Sequence, residues 1–103
     1  MRTTYLAALA LMCANPVLAQ STGNALAGHA LARQWCASCH LIASGEGRTS
    51  DVAPAFEAVA RRPSTTQTSL RVFLQTPHRQ MPNYTLTRQE TDDVVAYILG
   101  LRR

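Results

Sequence analysis

Apolar residues recur along this chain at three- and four-residue steps, the period of an amphipathic helix. No stretch alternates apolar and polar residues long enough to suggest a strand. Four helices follow from the pattern. The first runs from about residue 25 into the pair Cys36 and Cys39, with Gly28, Leu31, Trp35 and Cys39 on one face. The second covers residues 55–61, with Phe56 and Val59 inward. It ends at Arg61-Arg62-Pro63, where cations lie near the last carbonyls and proline halts the helix. The third spans about 66–75 with Leu70, Phe73 and Leu74 on one side. It stops at Thr76-Pro77, because the residue before a proline is pushed out of helical dihedrals. The fourth is the most sharply bounded. Thr87-Arg88-Gln89-Glu90 is a capping box, and Glu90, Asp92 and Asp93 suit the positive end of the helix dipole. Arg102 and Arg103 suit its other end. Its apolar stripe is Val94, Tyr97, Ile98 and Leu101. The expected fold class is all-α, about four helices with little or no sheet.

The fourth helix needs a partner for its stripe, and the Gly28–Leu31–Trp35 face is the best candidate. A helical glycine costs about 1 kcal/mol relative to alanine, and close approach of a second helix at Gly28 would offset that cost. Between the helices lie two loops. Residues 43–54 carry Gly45, Gly47, Ser50 and Asp51, all turn formers. Residues 78–84 read His-Arg-Gln-Met-Pro-Asn-Tyr.

Length and charge sharpen this picture. The chain has 103 residues, and its first 19 look like a secretory leader. Arg2 supplies the positive start, residues 5–14 the apolar stretch, and Val17-Leu18-Ala19 the exit site, with cleavage expected before Gln20. The apolar run falls short of the roughly 20 residues a bilayer span needs. Export to the periplasm, without stable membrane insertion, is therefore expected. Cys13 would leave with the leader, and residues 20–103 would form one small domain with Cys36 and Cys39 as its only cysteines. All ten basic residues are arginines. Without Arg2, nine arginines face six acids. The positive balance could steer an acidic partner, but no basic run interleaved with aromatics suggests nucleic-acid binding.

Cys36-Ala37-Ser38-Cys39-His40 is the chemical centre of the sequence. C-x-x-C-H is the attachment signature of c-type haem. Two thiols three residues apart can face the same way from one helical turn and add across two vinyl groups. The next residue, His40, can then ligate the iron. Two haem propionates would lower the net charge further. A proximal imidazole needs its second nitrogen held by an acceptor, and Pro54 has a carbonyl but no N–H. The 78–84 loop is where a second iron ligand could enter. Met81 offers a soft thioether there and is not an obvious core filler. His78, three residues earlier, is its rival. Trp35 and Arg48 are candidate propionate partners, Tyr84 and Tyr97 read as packing residues, and His29 reads as a surface histidine.

From Gly28 to Leu101 the chain resembles the small bacterial class I c-type cytochromes. The resemblance rests on the glycine eight residues before Cys36, the C-A-S-C-H motif, the A-P-A-F segment from Ala53 to Phe56, and P-H-R-Q-M-P-N-Y from Pro77 to Tyr84. It extends through the E-T-D-D-V-V-A-Y-I-L-G-L helix from Glu90 to Leu101. It implies a cytochrome c fold around one covalent haem c, with the terminal helices crossing near Gly28 and Tyr97. It also implies that Pro54 accepts a hydrogen bond from His40, and that His40 and Met81 are the axial iron ligands. The chain lacks the lysine-rich rim of the mitochondrial carriers, which leaves its partner open.

The function expected is that of a soluble one-electron carrier between redox partner proteins, a monomer or part of an electron-transfer complex, and not an enzyme by itself. The alternatives are a haem sensor or peroxidase-like protein with an open distal site, and the haem subunit of a larger oxidoreductase. A thiol–disulfide site would want a strand before the motif and βαβ surroundings. A zinc cage would want further ligands, and only His29 and His78 remain.

Overall fold

The computed structural model describes residues 22–102. The expected leader, residues 1–19, lies outside the described residues. Six elements follow in order: α1 Ala25–Trp35, β1 Leu41–Ala43, β2 Glu46–Gly47, α2 Phe56–Arg61, α3 Gln67–Gln75 and α4 Arg88–Gly100. Helix boundaries follow local chemistry. The Asn24 side chain accepts from the amides of Leu26 and Ala27 and caps α1. Thr66 with Ser69 and Thr87 with Glu90 form reciprocal capping boxes at α3 and α4.

Helices α1 and α4 cross in close contact, and glycine is the reason. A Cβ on Gly28 would occupy the position of the Asp93 carbonyl and crowd the Tyr97 side chain. The second point of contact is Ala32, one turn on and fully buried. Two small residues at i and i+4 let the helix backbones approach, whereas a large side chain would hold them apart. The α1 face therefore departs from the expected one. Trp35 is 41% exposed and packs its ring against Tyr84 with centroids 5.4 Å apart. The core is Ala32, Ile42, Phe56, Ala60, Leu70, Val94, Val95 and Ile98.

The acids of α4 do more than match its dipole. Asp92 and Asp93 are buried, and each ties α4 to the segment before α1. Asp93 Oδ1 accepts from the Asn24 amide (2.7 Å) and from Gln89 Nε2 (2.8 Å). Asp92 accepts from Arg71 Nε at 2.5 Å and from the Thr22 hydroxyl at 3.2 Å. The Arg71 hydrogen bond, then that from Thr22, and the nearby charges of Arg71 and Arg88 hold the Asp92 carboxyl below the usual range despite opposing desolvation. At the other end Arg102 donates to the carbonyls of Ala60 (2.8 Å) and Thr65 (2.7 Å), joining α4 to the α2–α3 turn.

The loop expected over 43–54 contains the end of a small antiparallel hairpin. Leu41 pairs with Gly47 and Ala43 with Glu46, with a bulge between. The run is too short for alternation to show in the sequence. Its turn needs Gly45, whose φ of 74° lies in the left-handed region.

Candidate haem site

The C-terminal end of α1 delivers the cysteine motif. The helix closes at Cys36, whose carbonyl accepts from the amides of Cys39 (3.1 Å) and His40 (2.9 Å). These turns keep Cys36, Cys39 and His40 on the wall of a single cleft. The hairpin then clamps the histidine backbone, since the Arg48 amide donates to the His40 carbonyl at 3.0 Å. Gly47 makes this approach feasible: its φ is 97°, and a Cβ there would collide with that same carbonyl.

His40 Nδ1 lies 2.7 Å from the Pro54 carbonyl. A carbonyl only accepts, so the imidazole carries its proton on Nδ1 and leaves Nε2 as a bare lone pair. Phe56 flanks the ring with centroids 5.2 Å apart. Behind it, the Tyr97 hydroxyl donates to the Ile42 carbonyl at 2.7 Å. Burial, and secondarily the charge of Glu46, raise the Tyr97 phenol above its ordinary value. His29, expected at the surface, is half-buried there and engaged by its neighbours. It stacks on Tyr97 at 4.8 Å, and its Nε2–H donates to Glu46 at 2.8 Å. The α1 surface is thereby tied to the hairpin that holds His40.

The cleft has a volume of about 700 Å³, within the range of small-molecule and cofactor sites. Phe56, Leu70, Phe73, Leu74 and Ile98 contribute its apolar wall. Met81, His78 and Tyr84 line it from the 78–84 loop. His78 and Met81 pair as an isolated antiparallel bridge. Tyr84 meets the Trp35 ring as described, and Tyr97 packs within 6.4 Å of Phe56. Trp35 also lines the cleft, whereas Arg48 does not. The arginines on its wall are Arg62 and Arg79. No local spacing in the sequence could have selected those two, because they come from separate loops. Gly47 did leave a signal, as the second glycine of Gly-Glu-Gly, but its contact, the His40 carbonyl, lies seven residues earlier in the chain.

Two rival uses of the thiols fit poorly. The motif follows a helix, at its negative end, and not the helix N-terminus that lowers a thiol pKa. Burial, and then the neighbouring Cys39, push the Cys36 thiol up to about 11, the reverse of an activated dithiol. Among the described residues, no three or more His, Cys, Asp or Glu are grouped to hold a bare metal ion, as a zinc cage would require.

An apolar cleft that presents two thiols and one oriented imidazole suits a covalently attached haem, and the class is that of c-type haem proteins. Comparison with known proteins narrows it. The family model described as "Cytochrome C oxidase, cbb3-type, subunit III" matches residues 23–98, and the chain belongs to that c-type cytochrome family. It is also 44% identical over 96 residues to cytochrome c-552 of Bradyrhizobium diazoefficiens, an alignment covering 88% of this chain and 92% of the relative. No solved structure matches. The protein is an electron-transfer haem protein, carrying covalent haem c and its iron. Among the described residues no helix is long and apolar enough to cross a membrane.

Proposed function

We propose that the protein is a periplasmic one-electron carrier whose haem is anchored by Cys36 and Cys39 and ligated by His40 and Met81. Residues 1–19 serve as the export leader, removed before Gln20. When bound, the haem supplies a ferrous/ferric couple. The chain's own residues set the conditions for it. Pro54 holds the His40 proton on Nδ1, so Nε2 is the donor offered to the iron. The Met81 thioether, a soft donor, favours the reduced metal and a raised potential. Phe56, Leu70 and Ile98 keep water from the cleft wall. If His40 and Met81 both held the iron, oxygen and peroxide would find no place to bind there, and the group would serve electron transfer to redox partners alone.

The observation that carries this reading is that an Nδ1-protonated His40 and Met81 line the same apolar cleft as the two thiols. The optical spectrum of the oxidised holoprotein tests it. The weak far-red band of methionine–iron bonding is expected, and Met81→Leu should abolish it. A wild-type spectrum without the band, or a variant that keeps it, refutes the ligand pair. Rapid stoichiometric carbon monoxide binding to the reduced wild type at neutral pH would replace the carrier with a sensor or peroxidase-like protein.

A second reading, as the haem subunit of a larger oxidoreductase, draws on the family description, which names an oxidase subunit. Stoichiometric co-purification with an oxidase from native membranes would favour it; a monodisperse single chain would favour the free carrier.

A further inference from the structure

The carrier reading leaves one side chain of the cleft without a task. His78 and Met81 face each other across the Arg79–Gln80 turn as an antiparallel bridge. Residues directly opposed in such a pair project to the same side, with Cβ atoms about 5 Å apart. Both side chains line the cleft that also contains His40. The other two described histidines are each held by a hydrogen bond, His29 to Glu46 and His40 to Pro54. His78 is held differently. Its ring stacks on Phe73 with centroids 3.7 Å apart and planes 26° from parallel. Stacking engages the ring face, so the nitrogens at the ring edge stay available to an acceptor of their lone pair.

We propose that His78 is a reserve axial ligand: when the Met81 sulfur leaves the iron, the His78 imidazole takes its coordination position. The inference rests on the His40–Met81 ligand pair proposed above. In the exchange one iron–sulfur bond breaks and one iron–nitrogen bond forms. No electron moves and no oxidant is needed. Imidazole nitrogen is a harder donor than a thioether, so the exchange favours the ferric state and lowers the reduction potential. Phe73 acts as the resting place of the ring. The consequence is a protein that stays closed to small ligands after losing its sulfur, and that passes to a lower-potential form instead of becoming a peroxidase.

The test compares holoproteins at neutral pH: wild type, His78→Ala, Met81→Leu, Met81→Ala, and each Met81 variant combined with His78→Ala. Leucine preserves side-chain volume, and alanine leaves room for the ring should leucine block it. Far-UV circular dichroism verifies that the helices persist. Electron paramagnetic resonance of the oxidised proteins and carbon monoxide binding to the reduced ones are the readouts. His78→Ala should keep the far-red band. At least one Met81 variant should lose the band yet stay low-spin with a lowered potential. Adding His78→Ala should turn that variant high-spin and accelerate carbon monoxide binding at least tenfold. High-spin iron in both single Met81 variants overturns the reserve ligand while leaving the Met81 assignment intact. A double variant that remains low-spin overturns it too, because another group then supplies the donor. Absence of the band from wild type, or its survival in the Met81 variants, marks failure of the ligand pair itself.

Discussion

The two walls of the cleft are built by different means. On the His40 side, backbone and side-chain hydrogen bonds converge on one residue: Cys36 receives its amide, Arg48 donates to its carbonyl, and Pro54 fixes its ring. The hairpin behind it is tied to α1 by His29 and to α4 by Tyr97. On the Met81 side, residues 82–87 have no regular structure. That loop leans on ring contacts, Tyr84 on Trp35 and His78 on Phe73. A void of about 20 Å³, lined by Leu31, Trp35, Tyr84 and Leu86 among others, lies beside Met81. Directional bonds around a well-packed residue resist local opening, while a loop held by a few stacked rings opens at low cost. The lesson is a division of labour: one wall sets where the haem sits, and the other can exchange what it offers.

Hydrogen exchange on the holoprotein should give the largest contrast. The amides of His40 and Arg48 should exchange on the order of a hundredfold more slowly than those of residues 83–85. Equal rates on both walls would end the comparison. Next in size is Gly47→Ala, which forces a side chain into left-handed backbone and against the His40 carbonyl. It should cost at least about 2 kcal/mol in chemical denaturation. His29→Ala removes one hydrogen bond and one stacked ring from the His40 wall, and about 1 kcal/mol is expected by the same measurement. Tyr84→Ala on the other wall should change global stability by less, about 0.5 kcal/mol, while weakening the far-red band. If Tyr84→Ala proved costlier than Gly47→Ala, the assignment of rigid and labile walls would be reversed.

The Asp92 clamp provides a control away from both walls. Its carboxyl is held below the ordinary value in the folded state. Its contribution is therefore full above the unfolded-state value, about 3.9, and disappears as pH falls through the lower folded-state value. The gap in denaturation midpoint between wild type and Asp92→Asn should be open at neutral pH and close in acid below about pH 4. A gap independent of pH would remove the Arg71 pairing as its cause.

Much of the architecture was legible from short-range chemistry. The capping box at Thr87, the proline stops and the 3.6-residue periodicity are written within a few residues of each helix end, and helices depend on such neighbours. The box at Thr66 was not read from the sequence, since its partner is Ser69 rather than the usual glutamate or glutamine. The cysteine–histidine motif was equally plain, because haem attachment imposes a fixed local spacing.

Other features needed the folded chain. That Ala32 is fully buried while Trp35 stays 41% exposed depends on how closely Gly28 lets the helices approach, and only the crossing itself decides that. His29 found Glu46, Asp93 found Asn24, and Arg102 found Ala60 across separations of 17, 69 and 42 residues. Arg62 and Arg79 came to the cleft, and Arg48 to the His40 carbonyl, by the path of their loops. Sequence by itself determined the helices and the attachment chemistry, since both are set by residues a few positions apart. The tertiary structure decided which polar groups meet and how firmly each wall is held, because those contacts exist only once distant segments have packed.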